Sequence, residues 1–350
     1  MQTAAAALVQ RQRQALGREG RPAGERAVLV AALAAWLALL AAAWWSVAHL
    51  VPDQLRLSLL GHAKDVAGVH GKIADYGLLM GALLPAALWI ECWVVGWRKS
   101  SARRLLVNPT ASNRTDIAYF LLGQPHLTDL AGRVLTLGAS MLSGAWLHDR
   151  LSALAGVPLR LVPPSAPFAL QVVVFFAVYS FFDYWTHRLD HSRWFWPLHR
   201  YHHAAEEFSV VNATRAHPAA FTGVFLVNMP MAILGAPAEV MVYVNLVVLS
   251  LGFLIHSRID SDWGWIGRWV LQSPNHHRLH HILDISLVPA GHFSMAPLWD
   301  RLFGTWRGDA DQSLAIGVET AYRHGFWIVP DIARDYLDFW RGLLRRPALD

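Results

Sequence analysis

This 350-residue chain has a single cysteine, Cys92. One thiol excludes an internal disulfide and leaves no basis for a cysteine-ligated iron–sulfur cluster within the chain. Charge is scarce too: Asp, Glu, Lys and Arg make up 16% of residues, against about 25% in soluble globular domains. There is no Gly-x-Gly-x-x-Gly dinucleotide fingerprint and no Cys-x-x-Cys-His haem attachment, so nothing marks a built-in electron carrier. Internal repeats, low-complexity tracts and strand-dominated segments are absent as well. A soluble, self-sufficient redox protein is thereby disfavoured.

What is present is apolar. Hydrophobic residues make up 54% of the chain, with 17 Trp, many near the ends of apolar runs, as interfacial anchors are. The mean hydropathy is +0.29. The net charge of +5 is carried largely by arginines beside apolar runs. That points to lipid headgroups and topology control rather than nucleic acid. Residues 1–26 read as a polar, Arg-rich cytoplasmic tail. Residues 27–51 carry no formal charge and are long enough to span a bilayer, which takes about 20 residues; a cleaved signal peptide is the rival reading. A second span is expected near 76–97, followed by Arg98, Lys99, Arg103 and Arg104, which the positive-inside rule places in the cytoplasm. Residues 134–147 are apolar but short, 161–182 are uncharged, and 218–238 with 240–255 form an apolar hairpin. The tail 330–346 alternates charged with large apolar residues, as an interfacial helix does. The expectation is an all-α integral membrane protein of about four transmembrane helices plus an apolar hairpin. A histidine-rich cap then faces the cytoplasm, at a bacterial inner membrane on the Ala- and Arg-rich composition. The expected division is an anchor region at 27–160, a catalytic domain at 161–310 and an amphipathic tail at 311–350.

Eleven of the 18 histidines lie between His187 and His281. Nine fall in three clusters: His187-x-x-x-His191, His199-x-x-His202-His203 and His276-His277-x-x-His280-His281. Spacings of three and four put side chains on one helical face, so each cluster is expected to offer two or three imidazoles along one stripe. Eight of these with His256 make nine candidate nitrogen ligands: His187, His191, His199, His202, His203, His256, His277, His280 and His281. One tetrahedral zinc takes four, so nine suffice for two metals. Imidazole suits iron, zinc, copper or nickel; oxidation of an unactivated C–H bond next to lipid argues for iron. His49, His62, His70, His126, His148 and His324 are scattered and read as ordinary surface or structural residues.

The region from Phe182 to Trp306 resembles the fatty acid hydroxylase / sterol desaturase superfamily of membrane di-iron enzymes. The resemblance rests on the three ordered histidine boxes. It extends to Arg215-Ala-His217-Pro218, Ile255-His256-Ser257, Ser273-Pro274-Asn275-His276-His277-Arg278-Leu279-His280-His281 and Leu298-Trp299-Asp300-Arg301-Leu302-Phe303-Gly304-Thr305. It implies two iron ions held by the nine histidines, with O2 as co-substrate and hydroxylation of a membrane lipid such as a sterol or fatty acyl chain. It also implies an external ferredoxin- or cytochrome-type electron donor. No catalytic side chain beyond the metal centre is expected. His217, His276, His292 and Asp190 are candidates for additional or supporting positions. One departure is His292-Phe293-Ser294, where members commonly carry an Asn-Tyr-Gly-like triplet. A lipid desaturase would use the same site. A histidine-rich metal transporter would place its ligands within the spans, whereas these boxes follow them; a zinc-dependent membrane hydrolase would need fewer histidines.

Overall fold

Residues 25–50 are dominated by Ala and Leu, good helix formers, and contain no Gly or Pro; they form helix α1 (Glu25–Leu50). The computed structural model describes residues 22, 24–59, 62–73, 79–123, 135–219, 222–283, 291–308 and 315–344. The arginines of the N-terminal tail before Arg26, and His126, lie outside them. At about 1.5 Å per residue, the 26 residues of α1 exceed the ~30 Å hydrocarbon core of a bilayer. Its large side chains, including Val28, Leu37, Leu39 and Trp45, stand exposed, as a lipid-facing helix requires.

An antiparallel hairpin follows, β1 (Gln54–Leu59) paired with β2 (His62–Ala67). This departs from the all-α expectation. The signal was there: Gln54-Leu-Arg-Leu-Ser-Leu59 alternates polar and apolar at period two, the mark of a strand. Next come α2 (Val69–Lys72), α3 (Leu79–Val95), α4 (Ser101–Val107), α5 (Ala111–Gly123), α6 (Leu135–Ala155) and α7 (Phe168–Asp190). After them lie α8 (Trp196–His203), α9 (Thr222–Ile233), α10 (Ala238–Ile255), α11 (Gly264–Trp269), α12 (Pro274–His280), α13 (Pro297–Leu302) and α14 (Val329–Leu344).

Among the described residues, three helices are long and apolar enough to cross a membrane: α1, α7 and α10. Two other apolar stretches of the expectation form shorter helices among the described residues. The span foreseen near 76–97 is α3, a helix of only 17 residues with Pro85 inside it. The apolar hairpin is α9 and α10, of which α9 has 12 residues and is too short. Helix α6 extends the 134–147 stretch to Ala155, but through His148, Asp149 and Arg150.

Helices α7, α9 and α10 meet in a core of Phe175, Met231, Val240, Met241 and Val244. Helix α6 crosses α9 closely at Gly144, where a Cβ would lie 2.7 Å from that of Ala232 and 2.9 Å from the Met229 carbonyl oxygen. A small residue permits the backbones to approach, as at many helix contacts in membranes. The long helices α7 and α10 both end in histidine, at His191 and His256. They thereby deliver histidines from two helix ends to one place.

Candidate metal centre

Three short segments complete the site. Helix α8 opens on Trp196-Pro197, with proline in its first turn where no amide partner is lost. Helix α12 opens on Ser273-Pro274, and Ser273 Oγ caps it by accepting the His276 amide at 3.3 Å. The strip 291–294 runs beside α12 and the end of α7.

The nine foreseen histidines come together in two groups. His187, His191, His199, His203 and His280 form the first, and His202, His256, His277 and His281 the second; within each, one ring nitrogen per residue lies within 4.8 Å of the others. The expectation of one stripe per cluster is corrected here. Adjacent residues on a helix point about 100° apart, so each His-His pair divides. His199 and His203 enter the first group and His202 the second; His277 and His281 enter the second and His280 the first. The groups abut: the His203 ring stacks on that of His281 with centroids 4.1 Å apart.

In both groups the converging atoms are Nε2. The separations are 3.0 Å for His187–His199, 3.1 Å for His199–His203 and 3.2 Å for His191–His280. In the second group they are 3.2 Å for His202–His256, 2.9 Å for His256–His277 and 3.1 Å for His277–His281. The other ring nitrogen is often anchored. The Nδ1–H of His187 donates to the Phe293 carbonyl (2.7 Å), of His280 to Gly291 (2.8 Å), of His202 to Arg215 (2.9 Å) and of His256 to Gly252 (2.7 Å). A carbonyl oxygen only accepts, so each of these Nδ1 atoms holds the proton and each Nε2 presents a lone pair.

This gives a test of whether a metal fits. His202 and His256 both have Nδ1 committed, so two lone pairs face each other at 3.2 Å. An extra proton is not available to bridge them. Burial pushes the pKa of His256 down to about 4 and holds that of His202 well below the usual value. The same desolvation, reinforced by neighbouring imidazoles, lowers His191, His199, His203, His277, His280 and His281. Clustered neutral imidazoles with converging lone pairs are an arrangement that a cation stabilises. A metal about 2.1 Å from each nitrogen spaces neighbouring ligands by about 3.0–3.4 Å, close to what is seen. Both groups can hold a metal ion.

The supports of the anchoring carbonyls were largely missed from sequence. Asp300 is buried and accepts the amides of Phe293 (2.8 Å) and Ser294 (3.0 Å) and the Thr305 hydroxyl (2.8 Å); it thereby fixes the carbonyl under His187. Arg215, whose carbonyl holds His202, is fully buried with Asp116 of α5, Nη1 to Oδ1 3.1 Å. Asn212 also donates to Asp116 (2.7 Å), and Arg215 Nε donates to the Tyr201 carbonyl (2.9 Å). Burial raises the Asp116 pKa to about 6 despite Arg215. Glu91 of α3 accepts from the Ser101 amide and hydroxyl and from the Arg258 amide, at 2.6–2.7 Å, pinning the turn after His256.

Of the four possible additional positions, none enters either group. Asp190 Oδ2 stands 4.0 Å from His199 Nδ1, a supporting place. His217 turns away, its Nε2–H donating to the Ile332 carbonyl of α14 (2.9 Å). His276 pairs with its own cap, Ser273 Oγ, at 2.7 Å, and its ring stacks on His292. His292 adopts a left-handed backbone (φ 58) and accepts the Arg307 amide (3.2 Å). The strip that departs from the familiar triplet therefore works through backbone: Gly291 and Phe293 offer carbonyls, and the His292 carbonyl is held by Gln272 Nε2 (2.6 Å). Asp183 accepts the Met295 amide (3.3 Å), Glu207 pairs with Arg104 and Arg258, and Glu206 lies 3.6 Å from His324.

Comparison with known proteins points the same way. Residues 172–305 match the family model for fatty acid hydroxylase. An ornithine lipid hydroxylase of Rhizobium tropici is 29% identical over 167 residues, 47% of this chain and 50% of that protein. An alkylglycerol monooxygenase of Danio rerio is 27% identical over 175 residues, 45% of this chain and 39% of its own. The corresponding Homo sapiens protein is 25% identical over 130 residues, 37% and 29% of the two chains. The chain thus spans half or less of the length of these curated relatives. No solved structure matches.

Proposed function

Because this chain belongs to the fatty acid hydroxylase superfamily, we propose that it is an O2-dependent di-iron hydroxylase acting on a C–H bond of a polar membrane lipid. The observation that carries the reading is the convergence of nine neutral imidazoles into abutting groups of five and four. A group of five exceeds the four ligands of a structural zinc, and the curated relatives are named as hydroxylases and monooxygenases. Two iron ions, when bound, would supply activation of O2 and abstraction of hydrogen from the substrate.

The chain's own residues hold and orient. His187, His191, His199, His203 and His280 would bind one iron, and His202, His256, His277 and His281 the other. The carbonyls of Phe293, Gly291, Arg215 and Gly252 fix four rings so that Nε2 points inward. Such outer partners set ligand orientation and basicity. Desolvation, complete at His203, His256, His277, His280 and His281 and partial at the other four, favours the unprotonated rings.

Substrate position follows from the spans. The histidines begin where α7 and α10 end, which favours oxidation at a carbon near the headgroup rather than at a chain terminus. Relatives named for ornithine lipid and alkylglycerol favour a lipid with a polar head. Electrons come from a separate ferredoxin- or cytochrome-type donor. The basic residues after α3, read by the positive-inside rule, favour a cytoplasmic encounter.

The test is metal analysis with Mössbauer spectroscopy of detergent-purified, iron-replete protein, followed by a lipid-product screen. About two irons per chain are expected. His202→Ala and His203→Ala, though adjacent, should each perturb a different iron. Mass-spectrometric fragmentation of the product should place the new oxygen near the headgroup. One zinc and no iron per chain would overturn the reading.

A further inference from the structure

Helix α14 buries two acidic side chains beside Phe339 while leaving several large apolar side chains exposed. Its acidic stripe is the buried one: Asp335 is 0% and Asp331 4% exposed. Asp335 receives Arg200 of α8 (2.7 Å) and the Tyr322 hydroxyl (2.5 Å), and Asp338 receives Arg200 as well. The face turned outward is apolar. Leu337, Trp340 and Leu344 are exposed, as is Val329 at its start, and Phe326 and Trp327 just before it are 61% and 70% exposed. A helix bordering water shows its polar face to solvent, so this outer face calls for an apolar neighbour.

A hollow of about 380 Å³ lies between α8 and α14, lined by Arg193, Pro197, Asp338, Arg341 and Gly342. Arg193 also stacks over Trp194, 4.6 Å from the ring centroid. Arginine beside tryptophan and leucine matches the depth profile of a membrane interface, where phosphates lie above the acyl chains. The same chain carries three helices fit to cross a bilayer, so a lipid surface is close at hand. Arg341 donates to Asp338 Oδ1 (3.3 Å), whose other oxygen is taken by Arg200; two arginines against one carboxylate leave the lining net positive, which suits a lipid phosphate.

We infer that α14 lies on the bilayer surface with Leu337, Trp340 and Leu344 among the lipids, and that the Arg193–Arg341 hollow receives the phosphate of an anionic phospholipid. The inference is independent of what the histidines bind. Through Arg200 the lipid-facing helix is tied directly to α8, which bears His199, His202 and His203, and through the His217–Ile332 hydrogen bond to the segment after Arg215.

The test uses the full chain in a Cys92→Ala background, with Leu337→Cys carrying an environment-sensitive fluorophore and Leu344→Cys as a second position. Protein is reconstituted in nanodiscs of phosphatidylcholine with or without phosphatidylglycerol. The expected result is strong quenching by shallow nitroxide-labelled lipid and a severalfold loss of quenching by aqueous iodide. Phosphatidylglycerol should strengthen both effects, and Arg193→Gln/Arg341→Gln should remove that increment. Full iodide access at both positions would place the face in water and overturn the inference. Protection from both quenchers would mean that protein covers it, which overturns it equally. Identical signals in the two lipid mixtures would overturn the anionic-phosphate assignment.

Discussion

Phe293 serves the site through its peptide rather than its ring, and that makes Asp300 more influential than its distance from the histidines suggests. Asp300→Ala strands two buried amides and a hydroxyl and frees the carbonyl that orients His187. Loss of hydrogen bonds to a buried carboxylate costs about 3 kcal/mol in stability, and loss of such an outer partner weakens metal binding roughly 10–100-fold. Iron titration and thermal unfolding of the variant should show both, with Asp300→Asn retaining part of each. All nine histidines were legible in the sequence, because box spacing is a property of neighbours along the chain. How they divide between the groups was not read there, although the 100° between adjacent helical residues already forbids His202 and His203 from sharing one centre. Asp300 stands in the closing motif and reads there as a salt bridge or cap; it and Gln272 reach the site through backbone atoms, which every residue carries, whereas Asp116 reaches it through the Arg215 side chain from a distant helix.

At the scale of elements, the N-terminal half contributes more than an anchor. Helix α5 supplies Asp116, the buried counter-charge to Arg215, and α3 supplies Glu91 beneath the turn after His256. Asp116→Ala leaves a buried guanidinium uncompensated, a change that costs about 3–5 kcal/mol. It should lower the Tm markedly and loosen the carbonyl beneath His202, so that metal content falls with stability. Asp116→Asn keeps an acceptor and should lie between. The long apolar helices were legible because composition and length set them. The β1–β2 hairpin was overlooked against a helical background despite its period-two alternation. The tail helix was foreseen as amphipathic, but which face it buries depends on Arg200, more than a hundred residues away.

The whole molecule should respond to acid in a defined direction. Burial lowers the pKa of the clustered histidines, His256 to about 4, whereas the unfolded chain titrates near the ordinary value of about 6.5. Below that value the unfolded state binds more protons, so metal-free stability, fully present above it, declines as pH falls. Thermal unfolding of metal-free protein in detergent should therefore give a Tm that drops between about pH 6.5 and 4, and bound metal should raise the Tm at neutral pH by mass action. A flat profile would contradict the buried, neutral state of these rings.

The interleaving of the two histidine groups also sets a timetable for biosynthesis. A ribosome that has completed His203 has made no whole centre, because each group still waits for residues of the third box: His280 for the first, His277 and His281 for the second. The carbonyls of Gly291 and Phe293, which aim His280 and His187, emerge later still. Metal insertion is thus deferred until most of the chain has been synthesised and both box helices are in hand. Until then the nascent protein holds neither group of imidazoles complete.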